Sequence, residues 1–93
     1  MLATIPFNLE KIPKADLDKE LLRTAIIAEL DAVNLYEQMA HLATGKGLKT
    51  LFLDIVREEK THVGEFQALL LQVDKEQEHE LVRGREEVEE LLK

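Results

Sequence analysis

Two long segments of the sequence repeat apolar residues at the spacing of a coiled-coil seam, and charged or ionisable residues interrupt both repeats. The first repeat alternates steps of four and three over Leu22, Ile26, Glu29, Val33, Tyr36 and Ala40. The second continues the same alternation over Leu48, Phe52, Ile55, Glu59, His62, Phe66, Leu69 and Val73. Such a repeat predicts two amphipathic α-helices that pack along their whole length. Glu29, Glu59 and His62 then occupy core positions, which requires a chemical explanation.

The rest of the pattern divides the 93-residue chain into an arm and three helices within one small domain. Both prolines lie in the aperiodic N-terminal part, where Asp16 is a candidate N-cap for the first helix. Asp74 and Gln77 have the spacing of a capping box, and Gly84 interrupts the mostly charged helix that follows. The predicted segments are an extended arm (1–16), helix 1 (17–44), helix 2 (48–73) and helix 3 (75–92).

The short link "TGKG" at 44–47 predicts that helices 1 and 2 form an antiparallel hairpin, each helix being roughly 40 Å long. Their apolar face is wider than one seam, because it also includes Leu21, Ala25, Ala28, Ala32, Met39, Leu51, Val63 and Leu70. Two helices alone cannot bury such a face. We therefore expect an all-α fold in which the hairpin and its short C-terminal helix dimerise into a four-helix bundle.

Composition excludes several classes of function. The chain has no cysteine, so a disulfide framework, a cysteine-ligated metal and a thiol nucleophile are excluded. A net charge of −7 disfavours nucleic acid as a partner and raises the local concentration of cations. The sequence contains no apolar run of the length of a signal peptide or a membrane span. We expect a cytoplasmic protein.

The three core residues that break the seams are predicted to lie at one level of the hairpin. Glu59 and His62 are three residues apart, so they share one face of helix 2 about 4.5 Å apart along the axis. If the chain turns near residue 46, Glu29 and His62 lie on opposite sides of the turn at almost the same distance from it. Antiparallel pairing therefore places Glu29 opposite the Glu59–His62 pair.

A metal ion would compensate for burying these groups. Ionised carboxylates in a bundle core cost several kcal/mol each unless they are paired or coordinated. Two subunits together supply four carboxylates and two imidazoles, the ligand set of bundle-core di-iron carboxylate sites. Four negative charges balance two divalent cations, or one iron per chain. Ligands of this type suit iron or manganese, and zinc would also bind.

The stretches "AIIAELDAVNLYEQMA" and "REEKTHVGEF" together resemble the encapsulated ferritin family, a two-helix branch of the ferritin-like and rubrerythrin-like proteins. The resemblance covers residues 17–73. It implies a ferritin-like bundle in which Glu29, Glu59 and His62 of two subunits ligate two irons, with Tyr36 as a hydrogen-bond partner beside the metal. It also implies ferroxidase activity, the oxidation of Fe²⁺ to Fe³⁺.

The same resemblance implies a larger assembly. Members of the family form an annular homodecamer, a pentamer of dimers, and deliver iron for storage and mineralisation inside an encapsulin shell. The expected location is therefore an encapsulin nanocompartment in the cytoplasm. Members that end in a shell-targeting peptide carry a Gly-Ser-Leu-like core, which "LVRGREEVEELLK" lacks. This predicts either a trimmed tail or a domain that is naturally fused to a shell protein.

Two positions depart from the family pattern. Family members carry acidic residues just before and two after the ligand of the first helix, forming a metal-uptake site. Here these positions are Ala28 and Asp31, so half of that site is kept, with Asp31 as a candidate secondary cation ligand. A tryptophan that precedes the tyrosine is replaced by Leu35. These changes would alter metal attraction or rate while preserving the catalytic centre.

Other interpretations of the same residues remain open. The centre could serve a rubrerythrin-like peroxide scavenger, or the buried ions could only fix the register of a non-enzymatic assembly module. Tyr36 could simply pack as an aromatic residue. His41 lies one turn from Glu37 and could hold a cation with it, although His41 and His79 also suit the surface. Helix 3 is either a solvated helix or a contact between dimers.

Overall fold

The computed structural model describes residues 9–93, in which every regular element is a helix. This confirms the all-α, three-helix prediction. The elements are two short 3₁₀ turns (Leu9–Lys11 and Lys14–Asp16) and the helices α1 (Leu17–Leu42), α2 (Lys46–Val73) and α3 (Lys75–Leu91). None of these helices combines the length and the apolar character needed to span a lipid bilayer.

The predicted extended arm is wrong over its described part, residues 9–16, because this stretch winds into two 3₁₀ turns; the remainder of the arm lies outside the described residues. The second turn runs directly into α1. Asp16 has helical torsion angles there, and its backbone N–H donates to the Pro13 carbonyl at 2.9 Å. Its side chain forms no capping hydrogen bond with any described residue, contrary to the sequence prediction, and lies 3.9 Å from the Lys19 Nζ.

The turn between α1 and α2 lies two residues earlier than expected. α1 ends at Leu42 and α2 already begins at Lys46, with Gly45 as its N-terminal cap. No glycine among the described residues has a positive φ, so this turn does not depend on a left-handed backbone. Similarly, α3 continues through Gly84, which the sequence predicted to be an interruption.

A thin core lies between α1 and α2, which run antiparallel. The apolar side chains that are buried there are Val33, Ala40, Val56 and Leu70. Large apolar residues at the predicted seam ends are much more exposed: Leu48 49%, Leu69 53% and Val73 45%. The buried residues of α2, Val56 and Leu70, each follow a position of the predicted seam by one residue, so in one chain α1 covers the face of α2 beside that seam and leaves both of its ends exposed.

Asp74 alone separates α2 from α3. Its side-chain oxygen accepts a hydrogen bond from the Gln77 backbone N–H at 3.0 Å, which is the N-cap that the sequence predicts. Its own N–H donates to the Leu70 carbonyl at 2.8 Å, so the reciprocal half of a capping box cannot form. Its other carboxylate oxygen lies 2.6 Å from the Arg23 guanidinium of α1. One residue thus ends α2, begins α3 and connects both to α1.

These contacts make Asp74 a source of acid-dependent stability. The hydrogen bond from the Gln77 N–H, followed by the one from Arg23, lowers the pKa of Asp74 below its ordinary value of 3.8. A carboxylate with a lowered pKa in the folded state stabilises the fold above the unfolded pKa, and the effect disappears as pH falls through the folded value. We expect unfolding midpoints of the wild type to fall more steeply below pH 4 than those of Asp74→Ser. Parallel curves would contradict this assignment.

The thin core predicts a strong effect of truncating one of its few buried side chains. Leu70 is 5% exposed, so Leu70→Ala should lower the free energy of unfolding by about 2–5 kcal/mol in urea titration. Leu91 is 80% exposed, and Leu91→Ala should change it by no more than about 0.5 kcal/mol. Equal losses of unfolding free energy in Leu70→Ala and Leu91→Ala would show that Leu70 does not belong to the core.

Candidate metal centre

Glu29, Glu59 and His62 converge halfway along the hairpin. The His62 Nδ1 lies 3.5 Å from the Glu29 Oε1 and 3.7 Å from the Glu59 Oε2. One ligand atom from each residue lies within 4.8 Å of the other two. The structure thus brings together the three residues that the sequence placed at one level, two from α2 and one from α1.

The three side chains differ in exposure. Those of Glu29 and Glu59 are 20% and 19% exposed, whereas that of His62 is 43% exposed. The carboxylates therefore lie within the hairpin, and the imidazole lies at its open edge. Leu51 and Leu69 share the His62 side of α2, because each is separated from His62 by close to a whole number of helical turns. Both leucines are about half exposed, at 54% and 53%. The site consequently opens toward an apolar surface.

Glu29 carries an unusual feature, an orphaned oxygen. Its Oε2 is buried and has no hydrogen-bond partner among the described residues. A buried carboxylate oxygen without a partner loses its hydration and gains nothing in exchange, which costs about 1–3 kcal/mol or more. If Glu29 and Glu59 are both ionised, their repulsion adds about 3 kcal/mol at an effective dielectric constant of 20. A cation beside these two carboxylates would remove both costs.

The donor set fits a divalent cation. Metal bonds to imidazole nitrogen and carboxylate oxygen are about 2.0–2.2 Å long, so two ligands of one ion lie roughly 3–4 Å apart. The separations of 3.5 and 3.7 Å around the His62 Nδ1 are within that range. Oxygen and nitrogen ligands without sulfur suit iron, manganese or zinc. Three ligands from one chain leave further coordination positions open.

Tyr36 and Asp31 lie outside this group of three. Tyr36 stacks on Phe52, with ring centroids 5.9 Å apart and planes at 30°. It follows Glu29 by seven residues, roughly 10.5 Å along the axis, and helical side chains tilt toward the N-terminus and hence toward the site. Its hydrogen-bond role stays a prediction. Asp31 is buried, at 9% exposure, and its role as a secondary cation ligand also stays a prediction.

A basic groove that the sequence pattern did not predict lies on the hairpin near its turn. Its volume is about 550 Å³, and it is lined by Glu37, Ala40, His41, Lys49, Leu53, Val56, Arg57 and Lys60. The basic residues on α2 are spaced eight and three apart, a spacing that keeps them on one side of the helix. That spacing is present in the sequence, but so many other residues are charged that three basic residues at this spacing are not distinctive. His41 and Glu37 both line this groove, and His79 is exposed.

Comparison with known proteins places this site in a family. The model of the family described as Rubrerythrin matches residues 20–92, which include all three clustered residues. The chain belongs to the rubrerythrin family. It is also similar to the crystal structure of the encapsulated ferritin domain from Pyrococcus furiosus, with 52% identity and a TM-score of 0.84, covering 98% of this chain and 95% of that one. The predicted membership of the encapsulated ferritin branch is confirmed.

Two longer relatives share the domain. A ferritin-like–encapsulin shell fusion protein of Pyrococcus furiosus is 61% identical over 72 residues, or 77% of this chain. The encapsulin nanocompartment cargo protein EncC of Myxococcus xanthus is 34% identical over 80 residues, or 83% of this chain. The chain spans 21% of the length of the first and 61% of the second. The comparison therefore concerns the helical domain that they share with this chain.

The orphaned oxygen gives a test that does not depend on activity. In metal-free protein, Glu29→Leu should raise the free energy of unfolding by roughly 1–3 kcal/mol, because it removes an unpartnered buried group. Mn²⁺, a redox-silent probe here, should raise the unfolding temperature of the wild type and leave that of the variant unchanged.

The matched control is Glu58→Leu, which changes an exposed neighbour of the site. It should shift the metal-free stability by no more than about 0.5 kcal/mol and keep the response to Mn²⁺. A Glu29→Leu variant that is less stable than the wild type without metal would contradict the assignment, since Glu29 would then have a stabilising partner in the free protein.

Proposed function

We propose that this chain is a ferroxidase that oxidises Fe²⁺ to Fe³⁺ at a di-iron site built by two copies. The observation that carries the proposal is the cluster of Glu29, Glu59 and His62 with the buried, unpartnered Glu29 Oε2. Iron is the substrate: it binds as Fe²⁺ and leaves as Fe³⁺ for storage. Membership of the rubrerythrin family, whose members typically bind iron, supports this choice of metal.

A second copy completes the site. One chain supplies two carboxylates and one imidazole, half of the ligand set of a bundle-core di-iron site. The exposed edge of His62 and the apolar residues on its side of α2 define the face that the second copy would cover. Alanines at positions 25, 28 and 32 of α1 would let two backbones approach closely there. The proposed unit is a four-helix bundle with one iron per chain.

The charge balance favours turnover over permanent retention of iron. Four carboxylates from two chains match the charge of two Fe²⁺ ions, and oxidation to two Fe³⁺ leaves two positive charges in excess. Each Fe²⁺ gives up one electron. O₂ with two protons accepts both electrons to form H₂O₂, or H₂O₂ with two protons accepts them to form two waters. The carboxylates bind and orient the ions, and the His62 Nδ1 fixes one coordination direction.

The names of the two longer relatives support a compartmented role. One is an encapsulin shell fusion and the other an encapsulin cargo protein. We propose that this domain works with an encapsulin shell protein, inside a cytoplasmic nanocompartment that stores the oxidised iron. The proposed assembly is an annular homodecamer built from dimers. This arrangement would deliver Fe³⁺ directly into the volume where it mineralises.

A peroxide scavenger is the second candidate, because the matching family model is that of rubrerythrin. The same di-iron centre would then reduce H₂O₂ to two waters, with two electrons from an external donor. The chain has no cysteine, so it cannot itself hold a cysteine-ligated iron as that donor. Sustained peroxide consumption that depends on an added reductant would favour this candidate. Net production of Fe³⁺ from Fe²⁺ favours the ferroxidase.

Anaerobic titration of the metal-free protein with Fe²⁺ tests the proposal. We expect saturation near one iron per chain on a species whose mass in solution is at least that of two chains, followed by a ferric absorbance in the near-ultraviolet after air is admitted. Glu59→Ala should lower the oxidation rate at least 100-fold, because it removes a ligand and leaves a cavity in each half-site. Glu58→Ala, its exposed neighbour, should retain the wild-type rate.

A Glu59→Ala protein that oxidises iron at the wild-type rate would overturn the proposal. So would saturation of a species with the mass of a single chain, since one chain would then complete the site alone. If iron binds weakly and without saturation, the cluster serves assembly, and Glu59→Leu with His62→Leu should give a more stable protein.

A further inference from the structure

Asp74 makes an unusual number of directed bonds for one residue. Its N–H donates to the Leu70 carbonyl at 2.8 Å, and its carbonyl accepts from the Glu78 N–H at 3.2 Å. One carboxylate oxygen accepts from the Gln77 N–H at 3.0 Å, and the other accepts from the Arg23 Nη2 at 2.6 Å. The first three bonds are local, within four residues along the chain. The fourth connects residues 51 positions apart.

The backbone at this position is a one-residue joint. Asp74 has φ −133° and ψ 86°, while α2 ends at Val73 and α3 begins at Lys75. A negative φ in this region is accessible to most residues, so no glycine is needed. Because no other residue separates the helices, the two torsion angles of Asp74 set the angle between α2 and α3. Local bonds secure the two helix ends without fixing that angle.

Packing holds α3 only weakly against the hairpin. No residue of α3, all of which is described, is buried. An open cleft of about 360 Å³ separates its first turns from the hairpin, lined by Arg23, Ile26, Ile27, Gln67, Leu70, Gln77 and Leu81. Leu81, the apolar residue of α3 in this cleft, remains 42% exposed. Few apolar contacts therefore resist a swing of α3 about the joint.

We infer that the Arg23–Asp74 ion pair is a latch that fixes the direction in which α3 leaves the hairpin. The pair is short and charge-assisted. The Asp74 side chain is 11% exposed and that of Arg23 is 47% exposed, so water screens the pair mainly from the arginine side. Arg23 belongs to α1, which the hairpin holds firmly. The Arg23 guanidinium therefore holds Asp74, and with it the start of α3, in a fixed position relative to α1. The latch also sets the direction in which α3 presents Val88 and Leu91, which are 53% and 80% exposed.

The absence of cysteine in the chain allows a direct measurement of this direction. Gln38→Cys in α1 and Glu86→Cys in α3, both at exposed positions, take one spin label each without competing thiols. The labelled chain is mixed with an excess of unlabelled chain in denaturant and refolded, so that each measured distance lies within one chain. Electron–electron double resonance then gives the distribution of α1–α3 distances.

The decisive variants break the ion pair and leave the N-cap intact. In Arg23→Gln, the distance distribution should become at least twofold wider than in the wild type. In Asp74→Asn, whose amide oxygen can still accept from the Gln77 N–H, we expect the same broadening. Arg23→Lys, which can restore a charge pair, should recover a distribution narrower than that of Arg23→Gln. Circular dichroism verifies that each variant retains its helices.

The matched control is Arg57→Gln, which breaks the exposed 2.9 Å pair with Asp54 inside α2 and should leave the distribution unchanged. An Arg23→Gln distribution as narrow as that of the wild type would overturn the latch. Broadening in Asp74→Asn alone would also overturn it, because the cap or the joint torsions would then set the direction. If Arg23→Gln does not fold, Arg23→Met, which keeps most of the aliphatic chain and removes the charge, takes its place and is judged by the same outcomes. These outcomes do not depend on iron.

Discussion

The register of α1 against α2 is the constraint on which the other features of this molecule depend. A short turn at 43–45 fixes that register, and the contact between the His62 Nδ1 and the Glu29 Oε1 lies near the midpoint of the resulting hairpin. The same register pairs the few buried apolar side chains, which together form a thin core. Because so little apolar surface is buried, one alignment of α1 with α2 must bring together both the polar cluster and the buried apolar side chains. A shift by one residue would disrupt both.

The site geometry was predictable from the sequence because an α-helix has a fixed rise and a fixed rotation per residue. A heptad repeat defines which face of each helix is inward, and a short link defines which levels meet. Glu29 and His62 are nearly equidistant from the turn, so their meeting required only these two rules. The small error in the turn, where α2 begins two residues earlier than expected, leaves the alignment intact. Local periodicity and short-range geometry thus determine most of this centre.

The hydrogen bonds of Asp74 and Asp16 were not fully predictable, because several partners compete for the same polar group in the folded chain. The capping box at Asp74 forms only by half, because its backbone N–H also completes the last turn of α2 and one donor cannot fully satisfy both. Asp16 resembles an N-cap, but the preceding 3₁₀ turn gives it helical torsion angles that point its side chain elsewhere. The Arg23–Asp74 pair joins residues 51 positions apart, and no periodic signal distinguishes Arg23 from the other basic residues of the chain. Each case involves competition between partners that only the folded chain resolves.

The one-residue joint between α2 and α3 restricts where residues can be inserted into or deleted from the chain. His62 and Asp74 lie on one continuous stretch, His62 in α2 and Asp74 at its C-terminal cap, and each contacts α1 through its side chain. An insertion or deletion of a single residue between His62 and Asp74 would rotate Asp74 about the axis of α2 by about 100° relative to His62. The reason is that a helix turns once every 3.6 residues. The two contacts with α1 could not then both be kept. In this stretch the number of residues is therefore as restricted as their identity, whereas α3 can gain or lose residues beyond its first turns without moving either contact.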